Sequence, residues 1–216
     1  MYHCGMPQDH IIFIVDDDRR IREAMTELLS SLEMHAVAFG SAAEYIAFPK
    51  PDLPACLLLD IELPDVNGLE LQKRITQGND VPIVFVTGHG DIPSSVRAIK
   101  AGAVDFLTKP FRDVDLLRAI QSALTQSRES RRKRADLANL HQRLASLTPR
   151  EREVLALVAS GLLNKQAAAE LHISEVTLQI HRARMMKKMA AGSVAELVRM
   201  AGTLEIPLTH ARHPTS

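Results

Sequence analysis

Four features of this 216-residue chain stand where they could do chemistry: an acidic run, a lone aspartate, a threonine and a lysine. Ile11-Ile12-Phe13-Ile14-Val15 leads into Asp16-Asp17-Asp18, and Leu57-Leu58-Leu59 leads into Asp60. Ile83-Val84-Phe85-Val86 leads into Thr87-Gly88, and Val104-Asp105-Phe106-Leu107-Thr108 leads into Lys109-Pro110. Clustered carboxylates repel one another and raise each other's pKa unless a cation joins them. Oxygen donors with no Cys or His among them suit a hard ion such as Mg²⁺, with Mn²⁺ an admissible substitute. A divalent ion and one lysine would balance three carboxylates, which suits the site to a compact charged group. Asp60, standing alone, is the candidate nucleophile, since carboxylates form aspartyl-phosphates. Lys109 and the ion would stabilise charge on a transferring phosphoryl group, and Thr87 could hydrogen-bond one of its oxygens. The competing reading is a set of unrelated polar caps at strand ends.

These groups meet only if the apolar runs are parallel strands. Runs of four or five apolar residues, bounded by polar and turn residues and separated by helix-length segments, read as strands buried on both faces. Parallel strands place their C-terminal ends along one edge, where an open α/β sheet forms its ligand crevice. The expectation is therefore a doubly wound α/β domain with Asp16, Asp17, Asp60, Thr87 and Lys109 converging at that edge.

The motifs Val-Asp-Asp-Asp, Leu-Asp-x-x-x-Pro-x-x-x-Gly, Val-Thr-Gly-His-Gly-Asp and Lys-Pro-Phe resemble the receiver domain of bacterial two-component response regulators. The FixJ branch is the nearest in kind, through Gly88-His89-Gly90-Asp91-Ile92-Pro93 and Lys100-Ala101-Gly102-Ala103-Val104-Asp105-Phe106. The resemblance implies a five-stranded, CheY-like parallel sheet and phosphorylation of Asp60 by a sensor histidine kinase. It also implies a Mg²⁺ site of Asp16, Asp17, Asp60 and the Glu62 backbone carbonyl. The run holds three aspartates, so spacing alone leaves open which two face the metal; Asp18 is expected to cap a helix or face solvent. Thr87 and Phe106 resemble a coupled pair that moves inward on phosphorylation, biasing a two-state element. Val96, Lys100 and Asp105 match positions that pair in receiver dimers of this branch.

Charge divides the chain although its formal net charge is zero. Met1 to Gln126 carries 11 basic and 18 acidic side chains, a net −7, whereas Ser127 to Ser216 carries 15 basic and 8 acidic, a net +7. Such asymmetry suits an acidic regulatory half and a nucleic-acid-facing half. Part of the basic excess is the run Arg131-Arg132-Lys133-Arg134, which also reads as a solvated helix face. Cys4 and Cys56 are the only cysteines, and their placement indicates neither a disulfide framework nor a metal site. Without a bilayer-length apolar stretch or a signal-peptide core, the expectation is a cytoplasmic protein with no membrane partner.

From Asp113 to Leu147 there is neither Gly nor Pro, and Leu137, Leu140, Leu144 and Leu147 recur at helical spacing. This predicts a helical linker packed within its own chain, too short in heptads to demand a coiled coil. Beyond it, Thr148 is placed as an N-cap, Pro149 in the first turn and Glu151 at the capping-box position. Gly161 ends that helix, Asn164 opens a short one to about Leu171, His172-Ile173 turns, and Ser174 caps a longer helix to about Met189. Two helices joined by a tight turn fit a helix-turn-helix. Leu178, His181, Met185 and Met189 form its packing side, and Gln179, Ile180, Ala183 and Lys187 the opposite side. Arg182, Arg184 and Lys188 flank that face.

The motifs Leu-Thr-Pro-Arg-Glu-Arg-Glu-Val-Leu, Gly-Leu-x-Asn-Lys and Ser-x-x-Thr-Leu-Gln-Ile-His-Arg resemble the DNA-binding domain of the LuxR/NarL/FixJ type. The resemblance implies contacts to double-stranded promoter DNA from Lys165, Thr177, Gln179, Ile180, Arg182, Ala183, Arg184 and Lys187. Many relatives carry Lys where this chain has Gln179, and Gln bonds adenine in bidentate fashion, while Ala183 offers only an apolar contact. The expected organisation is a receiver over 9–126, a helical linker over 127–145, an all-α DNA-binding domain over 146–207 and a disordered tail over 208–216. The expected function is a non-enzymatic, phosphorylation-dependent transcriptional regulator that dimerises when phosphorylated, with RNA polymerase as a further admissible partner. The alternative is a DNA-binding regulator controlled by partner or ligand contacts independently of phosphorylation. An enzymatic output lacks room and catalytic constellations in the remaining residues, and an RNA-binding output would be told apart by a salt-matched comparison with duplex DNA.

Overall fold

The computed structural model describes residues 9–76, 81–88 and 92–207. The His89-Gly90-Asp91 portion of the receiver motif, Cys4 and the 208–216 tail expected to be disordered lie outside the described residues. The chain divides into two compact units, with the boundary between Arg131 and Arg132.

The first unit is built on five strands: β1 (Ile11–Val15), β2 (Ala36–Phe39), β3 (Ala55–Leu59), β4 (Ile83–Thr87) and β5 (Asp105–Thr108). All neighbours pair in parallel, in the order β2-β1-β3-β4-β5. Helices α1 (Arg19–Ser31), α2 (Ala42–Ala47), α3 (Gly68–Thr76) and α4 (Ile92–Lys100) connect them, and α5 (Asp113–Ala145) follows. The central runs are continuous in apolar character because both faces are covered. Phe13, Val15, Leu57, Leu59 and Phe85 point into one core. Ile12, Ile14, Leu58, Val84 and Val86 point into the other, beneath Met25 and Leu29 of α1 and Leu116 and Ile120 of α5. Phe13, Phe39, Tyr45 and Phe48 pack as tilted and edge-to-face rings at the β2 side, with centroids 5.3 to 6.2 Å apart, the arrangement aromatic quadrupoles favour. Ser127 of α5 is buried and its Oγ accepts the Ala55 N–H at 3.0 Å, satisfying the donor that opens β3.

The second unit holds α6 (Pro149–Ala159), α7 (Asn164–Glu170), α8 (Glu175–Met189) and α9 (Val194–Thr203). The capping box at α6 is present in full: the Glu151 N–H donates to Thr148 Oγ1 and the Thr148 N–H to Glu151 Oε2, at 3.3 and 2.9 Å. Gly161 takes φ +85° after α6, and His172, in the turn before α8, takes φ 53°, a conformation His tolerates better than most residues. Ser174 caps α8 through the Thr177 N–H. Val154, Leu155, Ala167, Leu178, Met185, Met189 and Leu197 form the core. The expected helical segment falls within α5, which is assigned as helix from Asp113 to Ala145. Leu140 and Leu144, with Leu147 just beyond the helix end, pack into this second core, whereas Leu137 is exposed.

Among the described residues, no helix is long and apolar enough to cross a membrane.

Candidate functional site

Register brings the acidic residues together. Val15 pairs with Leu59, so Asp16 and Asp60 follow adjacent strand ends, and Thr87 pairs with Thr108, one residue before Lys109. The Asp60 N–H donates to the Val15 carbonyl and the Lys109 N–H to the Thr87 carbonyl, at 2.9 and 2.8 Å, extending both ladders by one rung. Asp16, Asp60 and Thr87 are buried, and Asp17 is exposed.

The Lys109 ammonium bridges the pocket, donating to Asp16 Oδ2 at 2.5 Å and Asp60 Oδ2 at 2.6 Å. The remaining oxygens are held by backbone: Asp16 Oδ1 accepts the Asp18 N–H and Asp60 Oδ1 the Glu62 N–H, at 2.9 and 3.1 Å. Burial pushes the Asp16 carboxyl above its ordinary value, with Lys109 and the Asp18 N–H opposing the shift. Burial alone would lower the Lys109 pKa; the hydrogen bonds and charges of Asp16 and Asp60 outweigh it, and the ammonium is held more firmly protonated than in water. Carboxylate oxygens of Asp16, Asp17 and Asp60 lie within 4.8 Å of one another. That all-oxygen donor set fits a small hard cation. Asp18 is tied elsewhere, as the N-cap of α1, accepting the Arg20 N–H at 2.8 Å.

One residue in the motif has a purely steric duty. A Cβ on Gly68 would stand 2.3 Å from the Asp60 carbonyl oxygen and 2.9 Å from Ile61 Cα. The α3 N-terminus therefore packs directly under the Asp60 backbone, its Gly68 N–H donating to the Ile61 carbonyl at 2.8 Å, and only glycine leaves that space open.

Phe106 is half-buried beside Phe85, ring centroids 6.2 Å apart. Val96 and Lys100 are exposed on α4, with Ile99 an exposed apolar neighbour; Asp105 is half-buried, its Oδ1 accepting the Phe106 N–H.

In the second unit Gln179, Ile180, Ala183, Arg184 and Lys187 are exposed along α8, and Lys165 is exposed on α7. Three cations or hydroxyls counted near this face have partners inside the unit. Arg182 is half-buried and donates to Asn164 Oδ1. Lys188 donates to Glu151 Oε2 at 2.7 Å and to the Ser146 carbonyl at 3.1 Å. Thr177 Oγ1 shares a 2.8 Å hydrogen bond with Ser174 Oγ. His181 is half-buried. Arg143, from the end of α5, donates to the Met189 carbonyl at 3.1 Å and so satisfies a terminal acceptor of α8. The sequence reading did not identify the Lys188–Glu151 pair or the Arg143 contact, because neither spacing nor composition announces a partner 37 or 46 residues away.

Residues 12–121 match the family described as response regulator receiver domain, and residues 145–201 match bacterial regulatory proteins of the luxR family. Nodulation protein W of Bradyrhizobium diazoefficiens is 48% identical over 209 residues, covering 96% of this chain and 92% of that protein. The transcriptional regulatory protein FixJ of the same organism is 41% identical over 192 residues, covering 88% and 93%. The solved structure of response regulator StyR superposes with a TM-score of 0.80 at 42% identity, covering 90% of this chain and 98% of that one. With each unit matched to its own family and relatives aligned across nearly the whole length, the chain belongs to the two-component response regulators of the FixJ/NarL type, in which a receiver domain precedes a LuxR-type helix-turn-helix.

Proposed function

We propose that Asp60 accepts a phosphoryl group from a sensor histidine kinase, and that this modification promotes receiver dimerisation and sequence-specific binding to duplex DNA. The observation that carries the reading is the Lys109 ammonium held between the Asp16 and Asp60 carboxylates at adjacent strand ends. An Asp60 carboxylate oxygen attacks phosphorus, the bond from phosphorus to the donor's imidazole nitrogen breaks, and the imidazole leaves with that electron pair. Lys109, in reach of Asp60 Oδ2, offsets the negative charge that gathers on the phosphoryl oxygens. Asp16, Asp17, Asp60 and the Glu62 carbonyl would hold Mg²⁺, which when bound supplies further charge compensation there. Thr87, at the neighbouring strand end, then hydrogen-bonds a phosphoryl oxygen, and Phe106 follows it inward on β5. The face of α4 and β5 carrying Val96, Lys100 and Asp105 pairs with a second copy. The domain limits in this reading are 9–126 for the receiver, 127–145 for the linker and 146–207 for the DNA-binding domain. Gln179, Ile180, Ala183, Arg184, Lys187 and Lys165 meet DNA, while Arg182 and Thr177 support them through Asn164 and Ser174.

Sedimentation of wild type and Asp60→Asn with Mg²⁺, with and without acetyl phosphate, tests the reading. A monomer-to-dimer shift in wild type alone supports it. A shift in both proteins, or in neither, removes phosphorylation-driven dimerisation and leaves control to another partner.

A further inference from the structure

The exposed face of α8 has a composition that phosphate attraction does not explain. Val176 and Ile180 are 68% and 47% exposed, and they stand one helical turn apart. Gln179 and Ala183 are exposed on the same face, completing an i, i+3, i+4, i+7 stripe. None of these four serves the core, which takes Leu178, Met185 and Met189 from the opposite face. The centre of the stripe carries no charge. Arg182 is turned to Asn164, and the exposed cations Arg184 and Lys187 lie at its C-terminal end.

Resting on the DNA-binding reading above, we infer that this stripe selects A·T pairs in each half-site. The Gln179 amide takes an adenine, and Val176, Ile180 and Ala183 take thymine methyls. Guanine presents two acceptors to the major groove and is met best by Arg or Lys, which the centre of the stripe lacks. Adenine presents an acceptor beside a donor, matched by a Gln amide, and thymine alone presents a methyl group. Seven residues of helix advance about 10 Å, which spans about three base-pair steps at roughly 3.4 Å each. The stripe therefore covers about four consecutive pairs. Val176 is a specificity determinant in this scheme, at the N-terminal end of a helix that enters the groove by that end.

The test selects duplexes from a randomised library with the full-length protein, acetyl phosphate and Mg²⁺ at one fixed salt concentration. Wild type is expected to enrich half-sites with about four consecutive A·T pairs, and Gln179→Lys to move one of them to G·C. Deoxyuridine is then placed for thymine in the enriched duplex, removing only the C5 methyl. Wild-type affinity is expected to fall about fourfold for each contacted methyl, and Ile180→Ala to lose part of that sensitivity. Enriched G·C pairs at these positions, or indifference of wild type to deoxyuridine, overturn the inference while leaving DNA binding intact. A protein that enriches no duplex sequence overturns the DNA-binding reading and this inference with it. The deoxyuridine arm uses unaltered protein, so misfolding of a variant does not enter it.

Discussion

In the receiver, Asp16, Asp60 and Lys109 come from three distant stretches of sequence and are pressed together at strand ends, with the lysine only 15% exposed. In the DNA-binding unit the opposite holds. Arg182 and Lys188 are satisfied by Asn164 and Glu151, and the exposed face of α8 is centred on uncharged side chains. The contrast separates two uses of charge. A buried acidic pocket must carry its own cation, because each unpaired carboxylate there is costly to desolvate. A helix with a solvent-facing side can commit some of its cations to its own fold and leave others exposed. The +7 of the C-terminal segment is thus no count of phosphate contacts.

The sharpest way to break the receiver half of the comparison is Asp60→Asn. It is expected to abolish phosphoryl incorporation from acetyl phosphate, read by phosphate-affinity electrophoresis. Stoichiometric incorporation in that variant would transfer the nucleophile to another carboxylate, with Asp17, exposed and within 4.8 Å of Asp60, the first to substitute. Next comes Lys109→Met, which removes the bridging cation and leaves the Asp16 and Asp60 carboxylates facing each other. A phosphorylation rate about 10²-fold lower is expected, measured by quenched time course. The Asp16 carboxyl, already raised by burial, rises further without its ammonium. A carboxyl whose folded pKa exceeds its unfolded value costs stability while ionised and recovers it as pH falls through the folded value. The variant should therefore gain more Tm than wild type as pH is lowered from 7 toward the carboxylate range, and more on adding Mg²⁺ at pH 7. Equal responses would mean that Lys109 does not balance the pocket. A third effect is steric. Gly68→Ala drives a methyl against the Asp60 carbonyl oxygen, and a loss of about 1–3 kcal/mol is expected from overpacking, together with slower phosphorylation. Urea unfolding read by circular dichroism checks the first part; an unchanged rate would show that the Asp60 backbone can move without harm.

The receiver pocket was legible because its signals are local to each strand end: an apolar run, then one polar residue at a fixed offset. Four strands announced themselves in this way. β2 did not: Ala36-Val37-Ala38-Phe39 is apolar throughout, but it runs into Gly40-Ser41 instead of an acid, threonine or lysine of the pocket, and it was implied by the resemblance alone. The helix limits in the second unit were equally readable, from Thr148, Ser174 and Gly161, because caps and breakers act within a few residues. Long-range pairing was not readable. Glu151 looked like a capping residue, and it is one, but the same carboxylate also takes Lys188. That second role gives Lys188 a partner inside the unit, which charge alone does not predict. Ser127, inside the stretch read as linker, likewise serves β3.

That pair offers the smallest effect and the finest test of the contrast. Glu151 has two duties that substitution can separate. Glu151→Gln keeps a side-chain acceptor for the Thr148 N–H, as capping boxes allow, but loses the ion pair. About 1 kcal/mol is expected, since Lys188 is 37% exposed and solvent screens the interaction. Glu151→Ala loses the cap as well, for about 2 kcal/mol in all. The Lys188 ammonium, and then the Thr148 N–H, hold the Glu151 carboxyl below its ordinary value. Its stabilisation is present above the unfolded pKa of about 4.3 and is lost as pH falls through the lower folded value. Wild type should therefore lose protection of α6 and α8 amides in that range, after correction for intrinsic exchange, and Glu151→Gln should lose less. Hydrogen exchange read by mass spectrometry resolves these helices from the receiver, whose protection should be the same in wild type and Glu151→Gln at each pH. A double-mutant cycle with Lys188→Met completes the argument. If the two losses overlap, Lys188 is committed to the fold; if they add, the ammonium is free, and the DNA face holds one cation more than the geometry assigns to it.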